Sequence, residues 1–320
     1  MCNTDKSKGV YPAGVVVNKP LCDEHFLITL AVENFPQTQA GQFVQLQCAK
    51  PGPVTGSRVV DWDDNPDTPK PPVFELPELT ENQRLLRRPL SLADARVNGE
   101  TTELDIIYRV VGAGTNWLSQ VKPGDEISVL GPLGTEFPIY PKKKFACLVG
   151  GGVGIPPMLY LAKALSEAGI TPIAFCGVRS RNLLPLSLTA EPDQAGNPAN
   201  CTAEFTARGA QTVITSDDGS VGFGGLVIEP LRNWLETSGV NPDDVALYSC
   251  GPERMMQAVG EIAIEIGCAC DLSLERSMAC GMGTCQSCIV KIKDSSEQGW
   301  AYKRCCTEGP VFPARSIIWE

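Results

Sequence analysis

Histidine is nearly missing: one residue, His25, in a chain of 320. A metal centre built on imidazoles, and proton transfer by a histidine base, are thereby nearly excluded. Positive charge is also scarce. Lys and Arg total 27 against 37 Asp and Glu, a net −10, so nothing neutralises nucleic-acid phosphates in bulk and no such partner is expected. No block of five or six like charges occurs, and Lys142 to Lys144 reads as a short solvated turn. The opening stretch MCNTDKSKG has no apolar signal core, which points to a cytoplasmic protein. Long hydrophobic runs are lacking too. Phe145 to Ala162 is uncharged over 18 residues, but its four glycines and two prolines suit a strand, a loop and a helix start, so no membrane association is expected.

What the chain has in plenty is cysteine, 14 residues. In a reducing compartment these are expected to be metal ligands or small core residues and not disulfides. Cys147, Cys176 and Cys201 lie in apolar, strand-like surroundings and read as core. Cys268 and Cys270 read as filling a domain junction.

The pattern predicts a multidomain β plus α/β fold. Residues 10–143 carry short β-branched runs (AGVVVN, HFLITLAV, QFVQLQC, ELDIIYRVV, DEISVLG) parted by Pro, Gly and Asp, which predicts an antiparallel β-barrel. A Pro-rich polar stretch, 49–82, reads as a surface insertion in it. From 144 to 266 apolar strands alternate with helical periods that stop at glycine, as in IPPMLYLAKALSEAG and ERMMQAVGEIAIEIG. That alternation predicts a doubly wound parallel sheet. Residues 267–320 form a small cysteine-rich segment, and no internal repeat is evident.

The sharpest signal is CGMGTCQSC, which sets Cys280-x4-Cys285-x2-Cys288, with a fourth thiol at Cys305 or Cys306. This is the ligand spacing of plant-type [2Fe–2S] sites. Gly281 and Gly283 fit a loop that must bend sharply and bring main-chain N–H groups close to sulfur. Zinc is the competing reading, but zinc sites usually show two C-x2-C knuckles and only one occurs here. Spacing alone does not choose between Cys305 and Cys306.

Three weaker signals point to nucleotides. In RRPLS, Arg88 can pair with a pyrophosphate and Ser91 can hydrogen-bond a flavin nitrogen; in YRVVGAGT, Gly112, Gly114 and Thr115 can open a helix toward a phosphate. LVGGGVGIPP, with Gly150, Gly151, Gly152 and Gly154, joins a strand to a helix as a dinucleotide loop does, and Pro156 suits the first turn. YSCGPERMM puts Cys250, Gly251 and Pro252 at the carboxyl end of a strand, where Cys250 can lie near a nicotinamide. Each has a plainer alternative: a surface charge, a packing turn, a strand-end thiol. Arg179 and Arg181 would suit a 2′-phosphate and Asp217 and Asp218 would repel one; on balance NAD is expected.

Together these motifs, with LGPLG, TSDDGSVGFGG, SLERSMACGMGTCQSC and CCTEGPVF, resemble the ferredoxin-reductase superfamily, and within it the electron-transfer subunits of class 1B dihydroorotate dehydrogenase, from about residue 10 to 315. The resemblance implies FAD on the barrel, contacted by Arg88, Pro89, Leu90 and Ser91, by Ile107, Tyr108 and Arg109, and by Gly114 and Thr115. It implies NAD on the α/β domain and a [2Fe–2S] cluster on Cys280, Cys285, Cys288 and Cys306, the last because it precedes x-x-Gly-Pro-Val-Phe. It implies an FMN-containing catalytic subunit that oxidises dihydroorotate for pyrimidine biosynthesis, in an assembly of two copies of each. Electrons would run from that FMN through the cluster to FAD, then as a hydride to NAD. Ser91 and Cys250 are the candidate catalytic residues. Leu90 stands where related reductases often carry an aromatic. The alternatives are a related NAD(P)H-dependent reductase subunit serving a hydrogenase, ferredoxin or oxygenase, and a metal-binding scaffold without activity. NADH-dependent ferredoxin:NADP oxidoreductase subunits tend to carry Asp at the first ligand position, where this chain has Cys280.

Overall fold

A computed structural model describes residues 8–49 and 87–319. From residue 50 onward, the predicted insertion at 49–82 lies outside the described residues. In chain order the strands are β1 (Gly9–Cys22), β2 (His25–Glu33), β3 (Phe43–Leu46), β4 (Arg88–Ser91), β5 (Asp94–Asn98), β6 (Thr101–Arg109) and β7 (Glu126–Leu133). They form one sheet in the order β4-β3-β7-β1-β2-β6-β5, every pair antiparallel. The sheet curls because β4 runs almost directly into β5 at the opposite edge. Between them Leu92 N–H bonds the Gln42 carbonyl and Ala93 N–H bonds the Asp105 carbonyl, so the two edges are stitched into a barrel. Pro89 is tolerated because β4 is an edge strand, where a missing N–H breaks no ladder. A short helix, α1 (Ala113–Ser119), follows β6.

The second sheet contains β8 (Phe145–Gly151), β9 (Thr171–Val178), β10 (Gln211–Ser216), β11 (Phe223–Gly224), β12 (Val245–Cys250), β13 (Ala269–Ser273) and β16 (Val311–Pro313). Its order is β11-β10-β9-β8-β12-β13-β16, parallel except for β16. Helices α2 (Ile155–Glu167), α3 (Ala203–Thr206), α4 (Ile228–Thr237) and α5 (Glu253–Ile266) connect the strands. In β8, Ala146 and Leu148 join one apolar core while Cys147 and Val149 join the other, the period of two that a sheet covered on both faces requires. The first core runs from the barrel interior to α2; the second joins Phe43, Leu130 and Leu133 of the barrel to Cys288, Cys305 and Cys306. The cysteine-rich segment is therefore not separate: it lends the sheet β13 and β16 and adds its own hairpin, β14 (Ile289–Lys293) with β15 (Trp300–Arg304). Cys147, Cys176 and Cys201 are fully buried, and Cys268 and Cys270 are buried beside the sheet.

Barrel and sheet dock through an ionic knot. Asp94, 6% exposed, accepts Lys163 at 2.9 Å and Arg208 at 2.8 Å, with Arg96 at 3.7 Å. Asp94→Ala leaves these cations facing one another at the junction. The expected cost is about 2–3 kcal/mol in a denaturant titration, less than for a fully buried pair because Lys163 and Arg96 stay in contact with water.

Candidate functional site

The strand order of the second sheet reverses between β8 and β12, and in open parallel sheets ligands bind at the carboxyl ends of the strands at such a point. Gly150 to Gly154 leave β8 there, and Cys250 to Pro252 leave β12 there. The two loops are in direct contact. A Cβ on Gly151 would stand 2.7 Å from Pro252 Cδ, one on Gly251 (φ +144°) would stand 2.9 Å from Gly151 N, and one on Gly154 would fall inside the Cys250 carbonyl. Burial pushes the Cys250 thiol up to about 12 against a bond with Ser273, so it is a neutral thiol, not a thiolate. At the sheet's outer end Arg181 is paired with Glu191 at 2.7 Å. Asp217 and Asp218 are tied to the end of β9 through N–H bonds to Val178 and Arg179.

On the barrel, Arg88 to Ser91 are partly buried and pair with Leu46 to Phe43. A Cβ on Gly114 would come within 2.9 Å of Arg88 Nε, so the arginine lies along α1 only because that residue has no side chain. Thr115 holds the turn: its hydroxyl accepts Val111 N–H at 2.9 Å and Gly112 N–H at 3.3 Å. Arg88 and Gly114 are thus in contact, with Thr115 next in the helix. Tyr108 does not join them by its side chain. It is 1% exposed, stacks on Phe26 and donates to Asn18, so its ring lies in the barrel core. Arg109 pairs with Glu24.

The cysteine loop lies against the barrel. Thr135 N–H bonds the Gly309 carbonyl at 2.7 Å, and a Cβ on Gly134 would stand 2.6 Å from Pro310 Cδ, so the Gly-Pro-Val-Phe ending docks on the end of β7. Within the loop main-chain N–H groups reach the sulfurs of Cys280 and Cys288. Cys285 N–H donates to Cys280 Sγ at 3.4 Å, and Cys306 N–H donates to Cys288 Sγ at 3.4 Å. The Ser287 hydroxyl, 3.2 Å away, brings the exposed Cys285 thiol down to about 6, with the Cys280 side chain adding to the effect. Burial pushes the Cys306 thiol up to about 11, with the Cys288 side chain adding and the Gly283 N–H opposing. Cys306 therefore faces Cys288 and the inside of the loop, while Cys305, buried and pushed up to about 12, binds the Cys288 carbonyl through its N–H. Gly281 (φ +69°) and Gly283 (φ +81°) sit in the left-handed region that the loop's bends demand.

These residues fit a two-iron centre. Cys280 lies near both Cys285 and Cys306, and Cys306 near Cys288, so the loop gathers the four thiols that such a cluster takes as ligands. Two buried polar groups without partners among the described residues, the amide of Gln45 and the hydroxyl of Thr307, border the loop at Gly281 and Gly283. Sequence reasoning passed over both; a glutamine inside the apolar run FVQLQC was the available signal for the first.

The family model for the iron–sulfur cluster binding domain of dihydroorotate dehydrogenase B matches residues 275–318. Among solved structures, that of an NADH-dependent reduced ferredoxin-NADP oxidoreductase superposes with a TM-score of 0.68 at 24% identity, covering 100% of this chain and 92% of that one. A ferredoxin NADP+ reductase from Neisseria gonorrhoeae superposes at 0.52 and 17% identity, covering 84% and 95%. The dihydroorotate dehydrogenase B (NAD(+)) electron transfer subunit of Geobacillus thermodenitrificans is 38% identical over 73% of this chain and 80% of its own. That of Fusobacterium nucleatum is 31% identical over 92% and 96%. With 38% identity over about three quarters of the chain to the one and 31% over nearly the whole chain to the other, this protein belongs to the family of dihydroorotate dehydrogenase B (NAD(+)) electron transfer subunits.

Proposed function

We propose that the chain carries electrons between an FMN-containing, dihydroorotate-oxidising catalytic subunit and NAD, holding FAD on the barrel (10–143), NAD on the α/β unit (144–266) and a [2Fe–2S] cluster in the terminal segment (267–320). The observation that carries this reading is the packing of the cysteine loop, at Gly281, against Gln45 of β3, the strand beside Arg88 to Ser91. When bound, FAD exchanges a hydride with NAD and single electrons with the cluster, which a flavin can do and a [2Fe–2S] centre alone cannot.

The chain's own residues bind and orient. Arg88 meets the FAD pyrophosphate, beside a backbone left bare at Gly114. Ser91 would offer its hydroxyl to the flavin ring, and Pro89, Leu90, Ile107, Tyr108 and Arg109 would complete the FAD site. Gly150, Gly151, Gly152 and Gly154 admit the NAD phosphates, with Gly251 and Pro252 across from them, and Cys250 presents a neutral thiol to the nicotinamide. Arg181, already countered by Glu191, leaves little to attract a 2′-phosphate, in keeping with NAD. Cys280, Cys285, Cys288 and Cys306 hold the iron. The exposed Cys285 and Met282 mark the side open to the partner, in an assembly of two copies of each subunit. Among the described residues no helix is long and apolar enough to cross a membrane.

The test is co-expression with the neighbouring catalytic subunit. The purified complex should reduce NAD with dihydroorotate, while this chain alone reduces only dyes with NADH. A chain that shows flavin and cluster absorbance but yields no such activity with any FMN-bearing companion would overturn the partner and leave the cofactors standing.

A further inference from the structure

Gln45 is 0% exposed, and neither end of its side-chain amide has a partner among the described residues. Such burial is costly: an unpaired amide loses its bonds to water and gains none. The amide ends at the cysteine loop. A Cβ on Gly281 would stand 2.8 Å from Gln45 Cδ and Oε1 and 3.0 Å from Nε2, and Gly281 follows Cys280 directly. Gln45 sits on β3 opposite Pro89 of β4 and Leu130 of β7. Its neighbour on the same face of β3, Phe43, lies opposite Ser91. The amide therefore stands in the wall between the barrel face that carries Ser91 and the loop that carries the thiols.

The geometry points to Gln45 as a positioning residue whose amide N–H donates to a sulfur of the iron–sulfur centre and thereby sets its potential against that of the flavin. This rests on the cluster reading above. The physical reason is charge. Reduction adds an electron spread over the sulfurs, so a donor aimed at sulfur stabilises the reduced form and raises the potential. Gln45 itself is shielded from water, which strengthens such a bond. It also explains why a glutamine survives in an otherwise apolar stretch: its partner arrives with the metal.

The test compares Gln45→Met, nearly the same shape without the donor, and Gln45→Glu, the same shape with an acceptor, in the cluster-loaded full-length chain. EPR-monitored redox titration should show the cluster potential lowered in both. The expected size is about tenfold in the one-electron equilibrium, about 59 mV. Flavin content and flavin potential should be unchanged. A second readout separates this from a merely structural role. In the cluster-free full-length chain Gln45→Met should raise the melting temperature, because the amide there is an unpaired buried group. Unchanged cluster potentials in the two variants would overturn the proposal, as would a shift confined to the flavin. If the unaltered chain shows no [2Fe–2S] EPR signal after anaerobic reconstitution, the cluster reading itself falls.

Discussion

Cys306→Ser will lose the visible and EPR signatures of the cluster and the reduction of NAD by dihydroorotate, while Cys305→Ala will keep both. The two cysteines are adjacent and both buried, so sequence spacing treats them alike. Their surroundings do not. The Cys306 thiol meets the Cys288 side chain and the Gly283 N–H, inside the loop, and its own N–H reaches Cys288 Sγ at 3.4 Å. Cys305 offers its N–H to the Cys288 carbonyl at 2.9 Å and packs in the core with Phe312 and Val290. Serine in place of a thiolate ligand gives a harder, more basic donor, and activity through the cluster should drop by about 100-fold or more. NADH-driven dye reduction needs only the flavin and should persist. For Cys305→Ala the loss is one buried sulfur, about 1 kcal/mol of stability. Iron content per chain, absorbance and the two assays decide it. Retained cluster in Cys306→Ser with loss in Cys305→Ala would reverse the ligand assignment.

Much of this arrangement is legible in the residues. The glycine stops after IPPMLYLAKALSEA and ERMMQAVGEIAIEI end helices where the structure ends them, because Gly169 and Gly267 adopt φ of +77° and +80° that other residues resist. The barrel runs show β-branched alternation, and the structure extends them, β1 reaching Gly9–Cys22, since pairing with β2 and β7 carries polar residues such as Asn18 and Lys19 into the ladder. Strands β4, β5 and β13 are harder to see. Pro89, Asp94 and Asp271 speak against strand, and each is tolerated by tertiary context: an edge position, an ionic knot, and the Tyr140 hydroxyl 2.7 Å from Asp271. Of the candidate site, the thiols and the nucleotide loops announce themselves by spacing. Gln45 does not, because a polar residue on a strand is ordinarily a solvent-facing one, and only packing against Gly281 reveals otherwise.

Gly154→Ala should abolish NADH-driven dye reduction and lower the stability of the chain, with flavin and cluster absorbance retained in the folded fraction. The argument is steric. Gly154 lies at the start of α2, where the loop after β8 crosses the end of β12, and an added methyl would overlap the Cys250 carbonyl and stand 2.7 Å from Gly251 N. Those contacts are to backbone, which cannot rotate aside as a side chain tip can. The chain must therefore part the two loops. That shift costs about 1–3 kcal/mol as overpacking, and it displaces the surfaces that meet the dinucleotide. Gly152 provides the contrast. Nothing lies within 4 Å of a Cβ built there, though its φ of +53° strains an alanine, so Gly152→Ala should cost about 1 kcal/mol and leave NADH use reduced but present. Thermal melts with and without NADH, together with KM and kcat for dye reduction, separate the two. Equal and mild effects from both would mean that the β8 and β12 loops do not form one binding surface, because of these two glycines Gly154 alone lies against the β12 loop.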